Sequence, residues 1–172
     1  MRFSHGYREQ QKKLHAAGDY GTSGFKHADQ VIQLAKQLNT RNILDYGCGQ
    51  QTLQKGIPFP ITNYDPFIAG CEEEPAMHDL VVCSDVLEHI EPDCLLDMLD
   101  HLKSKTGKML FVDVACRPAK KYLEDGRNAH LIQESPSWWL LKLVPYFEPV
   151  YFQTYAGGFV SVLTPKESHA KP

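Results

Sequence analysis

Asn42-Ile43-Leu44-Asp45-Tyr46-Gly47-Cys48-Gly49 decides how the rest of the chain is read. The apolar run over 42–46 predicts a short buried strand, and the two glycines one residue apart predict a tight turn at its end. Glycine carries no Cβ, so backbone can pass close against a ligand there with its N–H groups turned toward it. Alone, such a turn is equally an ordinary strand-to-helix junction, and its weight comes from what surrounds it.

Downstream, residues 61–65 form a second strand, stopped by Pro66. Leu80-Val81-Val82-Cys83 and Met109-Leu110-Phe111-Val112 are nearly all apolar, as parallel strands covered on both faces require. Between them Leu95, Leu96, Leu99 and Leu102 make a helical stripe opened by Pro92. Strand, helix, strand in this rhythm gives a parallel sheet with crossover helices. Upstream, Ala28, Val31, Ile32, Ala35 and Leu38 predict a helix over 25–38, preceded by a more polar helix over 7–17 and a glycine-rich loop over 18–24. Near the end, Ser135-Pro136 opens a helix through Trp138, Trp139 and Leu143. Two strands over 150–154 and 159–164 then form an antiparallel hairpin about Tyr155-Ala156-Gly157-Gly158.

At 172 residues the chain is read as one domain: an N-terminal helix and lid loop over 1–24, a core over 25–164 and a tail over 165–172. Eighteen basic residues against 21 acidic give a net charge of −3, so no global field recruits nucleic acid or an anionic membrane. The five cysteines, at 48, 71, 83, 94 and 116, form no C-x-x-C pair, which argues against a zinc site or a disulfide framework and for a reducing, cytoplasmic setting. No apolar leader or stretch of 18 apolar residues is present, so neither secretion nor membrane spanning is expected.

Ligands of open parallel sheets bind beyond the carboxyl ends of the strands, where strand order reverses. Three such ends stand out: the Asp45 to Gly49 turn; Asp65, 20 residues after Asp45 and so placed to accept hydrogen bonds from both hydroxyls of a ribose; and Cys83-Ser84-Asp85. A nicotinamide site wants Gly or Ala where this chain has Thr52, and Gly107-Lys108 is followed by Met109 instead of the Ser or Thr of a phosphate loop.

In order and spacing, Ile43-Leu44-Asp45-Tyr46-Gly47-Cys48-Gly49, Tyr64-Asp65 and Asp79-Leu80-Val81-Val82-Cys83-Ser84-Asp85-Val86-Leu87-Glu88-His89-Ile90 resemble the class I S-adenosylmethionine-dependent methyltransferases. The closing helix and hairpin resemble that family too. Asp19-Tyr20-Gly21 and the Asp125 to Leu131 segment look like small phage-encoded members. The resemblance implies an α/β, Rossmann-like doubly wound sheet, mostly parallel, with a C-terminal antiparallel hairpin. Only 13 residues separate Asp65 from Asp79, where the family holds a helix and a strand, so the third strand is missing or rudimentary. The adenine-contacting residue has no assignment, Cys71-Glu72-Glu73-Glu74 being a candidate loop. The family continues its glycine turn with a further glycine where this chain has Gln50-Gln51.

Carried over, Gly47 and Gly49 would pass beneath the methionine part of S-adenosylmethionine, and Asp45 would orient its amino group. Asp65 would hold the ribose, Ser84 and Asp85 would line the sulfonium side, and Tyr20 would sit in the roofing loop. His89 and His130 are the candidate catalytic bases, needed only if the acceptor must lose a proton. Asp85, Glu88, His89 and His130 could also face one divalent ion, but no metal is expected. The acceptor is unidentified, a small molecule being favoured over duplex nucleic acid. Arg117, Lys120, Lys121 and Arg127, diluted by Glu124 and Asp125, read as a solvated loop before a phosphate track. Two other readings share the motifs: a non-catalytic binding or assembly module, and a dinucleotide oxidoreductase.

Overall fold

The computed structural model describes residues 3–16, 18 and 20–167. Ala17, Asp19 and most of the expected tail lie outside the described residues. Strands β1 (Ile43–Tyr46), β2 (Thr62–Tyr64), β3 (His78–Ser84) and β4 (Thr106–Ala115) are parallel, and β5 (Phe147–Tyr155) and β6 (Gly158–Pro165) complete a six-stranded sheet as an antiparallel hairpin. The order is β2-β1-β3-β4-β6-β5. The chain leaves β1 toward one edge for β2 and then crosses back to its other side for β3, so strand order reverses at the carboxyl ends of β1 and β3. Among the described residues no strand stands between β2 and β3, as the short spacing implied.

Helices cover both faces. Against one, α2 (Ala28–Gln37) and α3 (Thr52–Gly56) bury Val31, Ala35 and Leu53 on Ile43, Leu80 and Phe111. Against the other, α4 (Leu95–Lys105) and α5 (Pro136–Leu143) bury Met98, Leu99, Trp139 and Leu143 on Leu44, Val81 and Leu110. Strands β1, β3, β4 and β6 feed both layers, which is why β1 and most of β3 read as unbroken apolar runs. Ser135 caps α5, its hydroxyl accepting from Trp138 N–H at 3.2 Å, with Pro136 in the first turn. Trp139 is fully buried, and Trp138 packs against the core with Lys142 over its ring.

The helix expected over 25–38 is divided: Gly24–His27 is a 3-10 turn and α2 starts at Ala28, because the His27 ring is drawn 2.8 Å from Asp113. The second strand ends one residue early, since Asp65 leaves the ladder to accept the Phe67 N–H. The first helix, α1 (His5–Ala16), belongs to neither layer. It lies over the carboxyl ends of the strands and turns Tyr7, Gln11 and His15, spaced by four, onto a cleft there, with Phe3 continuing the row just before the helix.

Candidate active site

The cleft, about 410 Å³, opens above β1 and β3 and is closed by α1, by residues 20–23 and by the segment after β4. Its floor is the glycine turn. Gly47 sits at φ +80°, and a Cβ there would stand 2.4 Å from Val86 Cγ2, so no other residue fits without displacement. Gly49, at φ +47°, packs its Cα face on Gly21 of the roofing loop, where a Cβ would stand 2.6 Å from the Gly21 carbonyl oxygen. Gln51, in place of a further glycine, takes the left-handed conformation itself at φ 54°.

Two acids lie beneath this turn. Asp65 accepts from Gly49 N–H at 3.2 Å and Phe67 N–H at 2.9 Å, with His15 Nε2 4.0 Å away. Burial raises its carboxyl, the Phe67 N–H opposing the shift. Asp45 is 5% exposed, and burial, with the nearby Asp65 carboxylate, pushes it up to about 7. Two buried acids, one of them facing His15 and neither paired with a lysine or arginine among the described residues, form a place that a bound cation would relieve. Ser84 Oγ, at the end of β3, is buried with no hydrogen-bond partner.

Asp85 follows at φ 53°, a left-handed conformation uncommon outside glycine, held by its N–H to the Asp113 carbonyl at 2.9 Å. Its Oδ2 is 3.1 Å from Lys26 Nζ, which also lies 2.7 Å from Asp113 Oδ2. Asp113 further accepts from Tyr155 Oη at 2.7 Å. Burial alone would raise the Asp113 acid, but hydrogen bonds from His27, Lys26 and Tyr155 hold it down at about 2.

The far wall is the segment 117–130, folded back by an isolated bridge between Tyr122 and Asn128. Asn128 Oδ1 accepts from the Ala119 and His130 N–H groups, both at 2.9 Å. Gln10 to Asp125 at 3.0 Å and Lys13 to Glu124 at 2.8 Å tie this segment to α1. His89 and His130 face each other with ring centroids 4.7 Å apart at 82°. His89 Nδ1 is 2.7 Å from the Ala129 carbonyl and 2.9 Å from Tyr20 Oη, while the His89 carbonyl accepts from Tyr7 Oη. Burial and the neighbouring His130 push His89 down to about 4, and burial lowers His130.

Tyr20, Gly47, Asp65, Asp85, His89 and His130 therefore meet at one cleft. Asp45, Gly49 and Ser84 stand behind its surface instead of lining it. The loop offered for adenine contact is elsewhere: Cys71 is buried and its carbonyl accepts from Asp65 N–H, while Glu74 pairs with His101 at 2.6 Å. Pro66 and Phe67 line the cleft in its place, Phe67 edge-on to Tyr7 at 5.8 Å. Of the basic cluster, Arg117, Lys120 and Lys121 reach the cleft, while Arg127 turns back on Asp125 at 2.7 Å. The α1 stripe and Phe67 escaped the sequence reading. The four-residue spacing of Phe3, Tyr7, Gln11 and His15 was visible, but two of the four are polar and it did not register as a buried face.

A family model for a methyltransferase domain matches residues 22–162, and the chain belongs to that family. Its expected place among the class I S-adenosylmethionine-dependent methyltransferases is borne out, as is the Rossmann-like fold. Among solved structures it is similar to the Burkholderia thailandensis 1,6-didemethyltoxoflavin-N1-methyltransferase with bound 1,6-didemethyltoxoflavin and S-adenosylhomocysteine: TM-score 0.64, 16% identity, 97% of this chain and 92% of that one. The magnesium protoporphyrin IX methyltransferase of Synechocystis PCC 6803 gives TM-score 0.59 at 16% identity over 83% of both chains. An rRNA methylase from Escherichia coli gives 0.55 at 15% identity over 95% and 78%. No curated protein matches in sequence. No described helix is long and apolar enough to cross a membrane.

Proposed function

We propose that this cleft binds S-adenosylmethionine over β1 and β2 and delivers its methyl group to a small-molecule acceptor held between α1 and the segment 117–130. The observation that carries the reading is the pair Asp45 and Asp65 beneath the Gly47-Gly49 turn, buried acids that a ligand ammonium would relieve. In this reading Gly47 and Gly49 let the methionine part lie on the backbone, Asp45 orients its amino group through water, and Asp65 accepts from the ribose hydroxyls. Asp85 faces the sulfonium side with Ser84 behind it, and Tyr20 closes the roof. When bound, the cofactor supplies an electrophilic methyl on a sulfonium, so the protein's task is to exclude water and align the acceptor. His89 and His130 are the groups that meet the acceptor.

The acceptor class rests on shape. The same fold serves 1,6-didemethyltoxoflavin, magnesium protoporphyrin IX and rRNA in the three proteins above, so architecture does not choose among them. Here the cleft is roofed by α1 and tied shut at Asp125 and Glu124, a volume for a small molecule and not for a duplex. Arg117 and Lys120 favour an acceptor with anionic or polar oxygens. S-adenosylhomocysteine should raise the melting temperature by mass action, and no shift at millimolar ligand overturns the cofactor reading. Transfer of labelled methyl to duplex nucleic acid, with none to small-molecule extracts, overturns the acceptor reading.

A further inference from the structure

One oxygen of Glu88 and one nitrogen each of His89 and His130 lie within 4.8 Å of one another. We propose that these three side chains form a binding site for a divalent transition ion of the zinc type, opening on the cleft.

The case begins with Glu88. It is fully buried; its Oε1 accepts the Ala115 N–H at 2.8 Å, and its Oε2 has no hydrogen-bond partner. An acid retained wholly out of water with one oxygen unanswered calls for a partner that is not a protein side chain. The histidines supply the complementary half. The Nδ1 of His89 lies 2.7 Å from the Ala129 carbonyl, and that of His130 lies 2.6 Å from the Arg117 carbonyl. A carbonyl oxygen only accepts, so in each neutral ring Nδ1 carries the proton and the lone pair is left on Nε2. A ring that donates one N–H to a backbone carbonyl and offers the other nitrogen is the arrangement that fixes metal-binding histidines.

Three ligands held at about 2.1 Å from a common ion in tetrahedral geometry stand roughly 3.4 Å apart, so closing this set from 4.8 Å takes a movement of up to about 1.4 Å. His130 belongs to the segment 117–130, which can supply it. Two imidazoles and one carboxylate are a zinc-type donor set that leaves a coordination position free, and imidazole disfavours magnesium and calcium. Asp85 stays outside the set, engaged by Lys26 at 3.1 Å. His89 and His130 line the cleft while Glu88 lies behind them, so the free position faces the cavity. Its natural occupant there is water or, resting on the proposed function, an oxygen of the acceptor. The sequence groups these three residues with Asp85, with no metal expected; the proposal departs from that expectation on the observation that Glu88, His89 and His130 come within 4.8 Å of one another.

Chelator-treated protein should bind Zn²⁺ in calorimetry, and Co²⁺ by visible absorption, saturating at one ion per chain. His130→Ala, on the loop side, should weaken Zn²⁺ binding at least about tenfold. Glu88→Gln should do the same while its amide oxygen still accepts from Ala115 N–H, which keeps the fold. S-adenosylhomocysteine binding, measured on the chelator-treated wild-type protein, reports on the cofactor reading alone, so failure of the metal site and failure of the cofactor reading are separate outcomes. The proposal is overturned by the absence of saturable binding in folded wild-type protein, by unchanged affinity in both variants, or by thiolate charge-transfer bands in the Co²⁺ spectrum, which place the ion on a cysteine.

Discussion

The two ends of the cleft are built by different means. At the β1–β2 end the floor and its acids come from a run of about 20 residues, Asp45 to Asp65, and its shape is set by backbone: two glycines at positive φ and an acid accepting two N–H groups. At the acceptor end the parts come from α1, from the turn after β3 and from the segment 117–130, joined by side chains such as Gln10 to Asp125. The first end tolerates almost no change of residue, while the second is a set of exchangeable contacts. One fold can thus keep its cofactor and vary what it methylates.

The largest effect should follow a change at the backbone end. In Gly47→Ala the new Cβ meets Val86 Cγ2 at 2.4 Å and stands at φ +80°. Left-handed strain and overpacking together should cost about 2–5 kcal/mol of stability. Urea denaturation reads the loss, and calorimetry should show S-adenosylhomocysteine affinity down by at least about a hundredfold. A Gly47→Ala protein with wild-type stability and affinity breaks the comparison at its root.

That contrast also governs what the sequence revealed. The glycine turn, Asp65 and the Ser84-Asp85 end were readable because φ preference and strand-end position are local properties, carried within a few residues. The missing third strand was readable from 13 residues of spacing. Tyr7 was placed on a helix with no role, because nothing within α1 says that its hydroxyl reaches the His89 carbonyl, 82 residues away. Lys26 and Asp113 were likewise silent: each is an ordinary charged residue until β4 and the turn before α2 bring them to 2.7 Å. The sequence reads Asp65 as a ribose acceptor at a strand end, and it lines the cleft, but at 4% exposure it also holds the turn together.

Asp65→Ala therefore carries two costs. Losing the acceptor of the Gly49 and Phe67 N–H groups should lower stability by about 1–3 kcal/mol. Losing the ribose partner should weaken cofactor binding by at least about tenfold. Denaturation and calorimetry separate the two, and full stability in the variant means the acid serves only the ligand.

Beside the acceptor end, outside the cleft and joined to it through Asp85, Asp113 ties Lys26, His27 and Tyr155 together. Its acid sits at about 2 in the folded protein, below the ordinary carboxylate value near 3.9 that the unfolded chain has. A depressed acid contributes stability that is complete above the unfolded value and lost as pH falls through the folded one. The contribution is roughly 2 kcal/mol, fading between about pH 5 and pH 2. Asp113→Asn should be less stable than wild type at pH 7 and should flatten the acid limb of a stability-versus-pH curve. An unaltered acid limb removes Asp113 as the clamp of this end.

The smallest effect sharpens the comparison most, because it asks whether the backbone end is tuned for a cation. Asp45 sits at about 7 in the ligand-free protein, raised by burial and by the Asp65 carboxylate that faces it from the end of β2. At pH 7 about half of the molecules therefore carry its proton. An ammonium brought near, directly or through one water, favours the carboxylate and draws that acid down. The sign follows: binding releases a proton, so affinity rises with pH, levels off above about pH 8, and falls about tenfold per unit below about pH 6. At pH 7 the cost is only about a factor of two, or roughly 0.4 kcal/mol. Calorimetric titration with S-adenosylhomocysteine in phosphate and in Tris at pH 7, buffers that differ in ionisation heat, should give apparent enthalpies that differ by the heat of about half a proton. In Asp45→Asn the difference should vanish while Asp65 remains. Identical heats in both buffers with the wild-type protein show that no ammonium reaches Asp45, and the methionine end of the ligand must then lie elsewhere in the cleft.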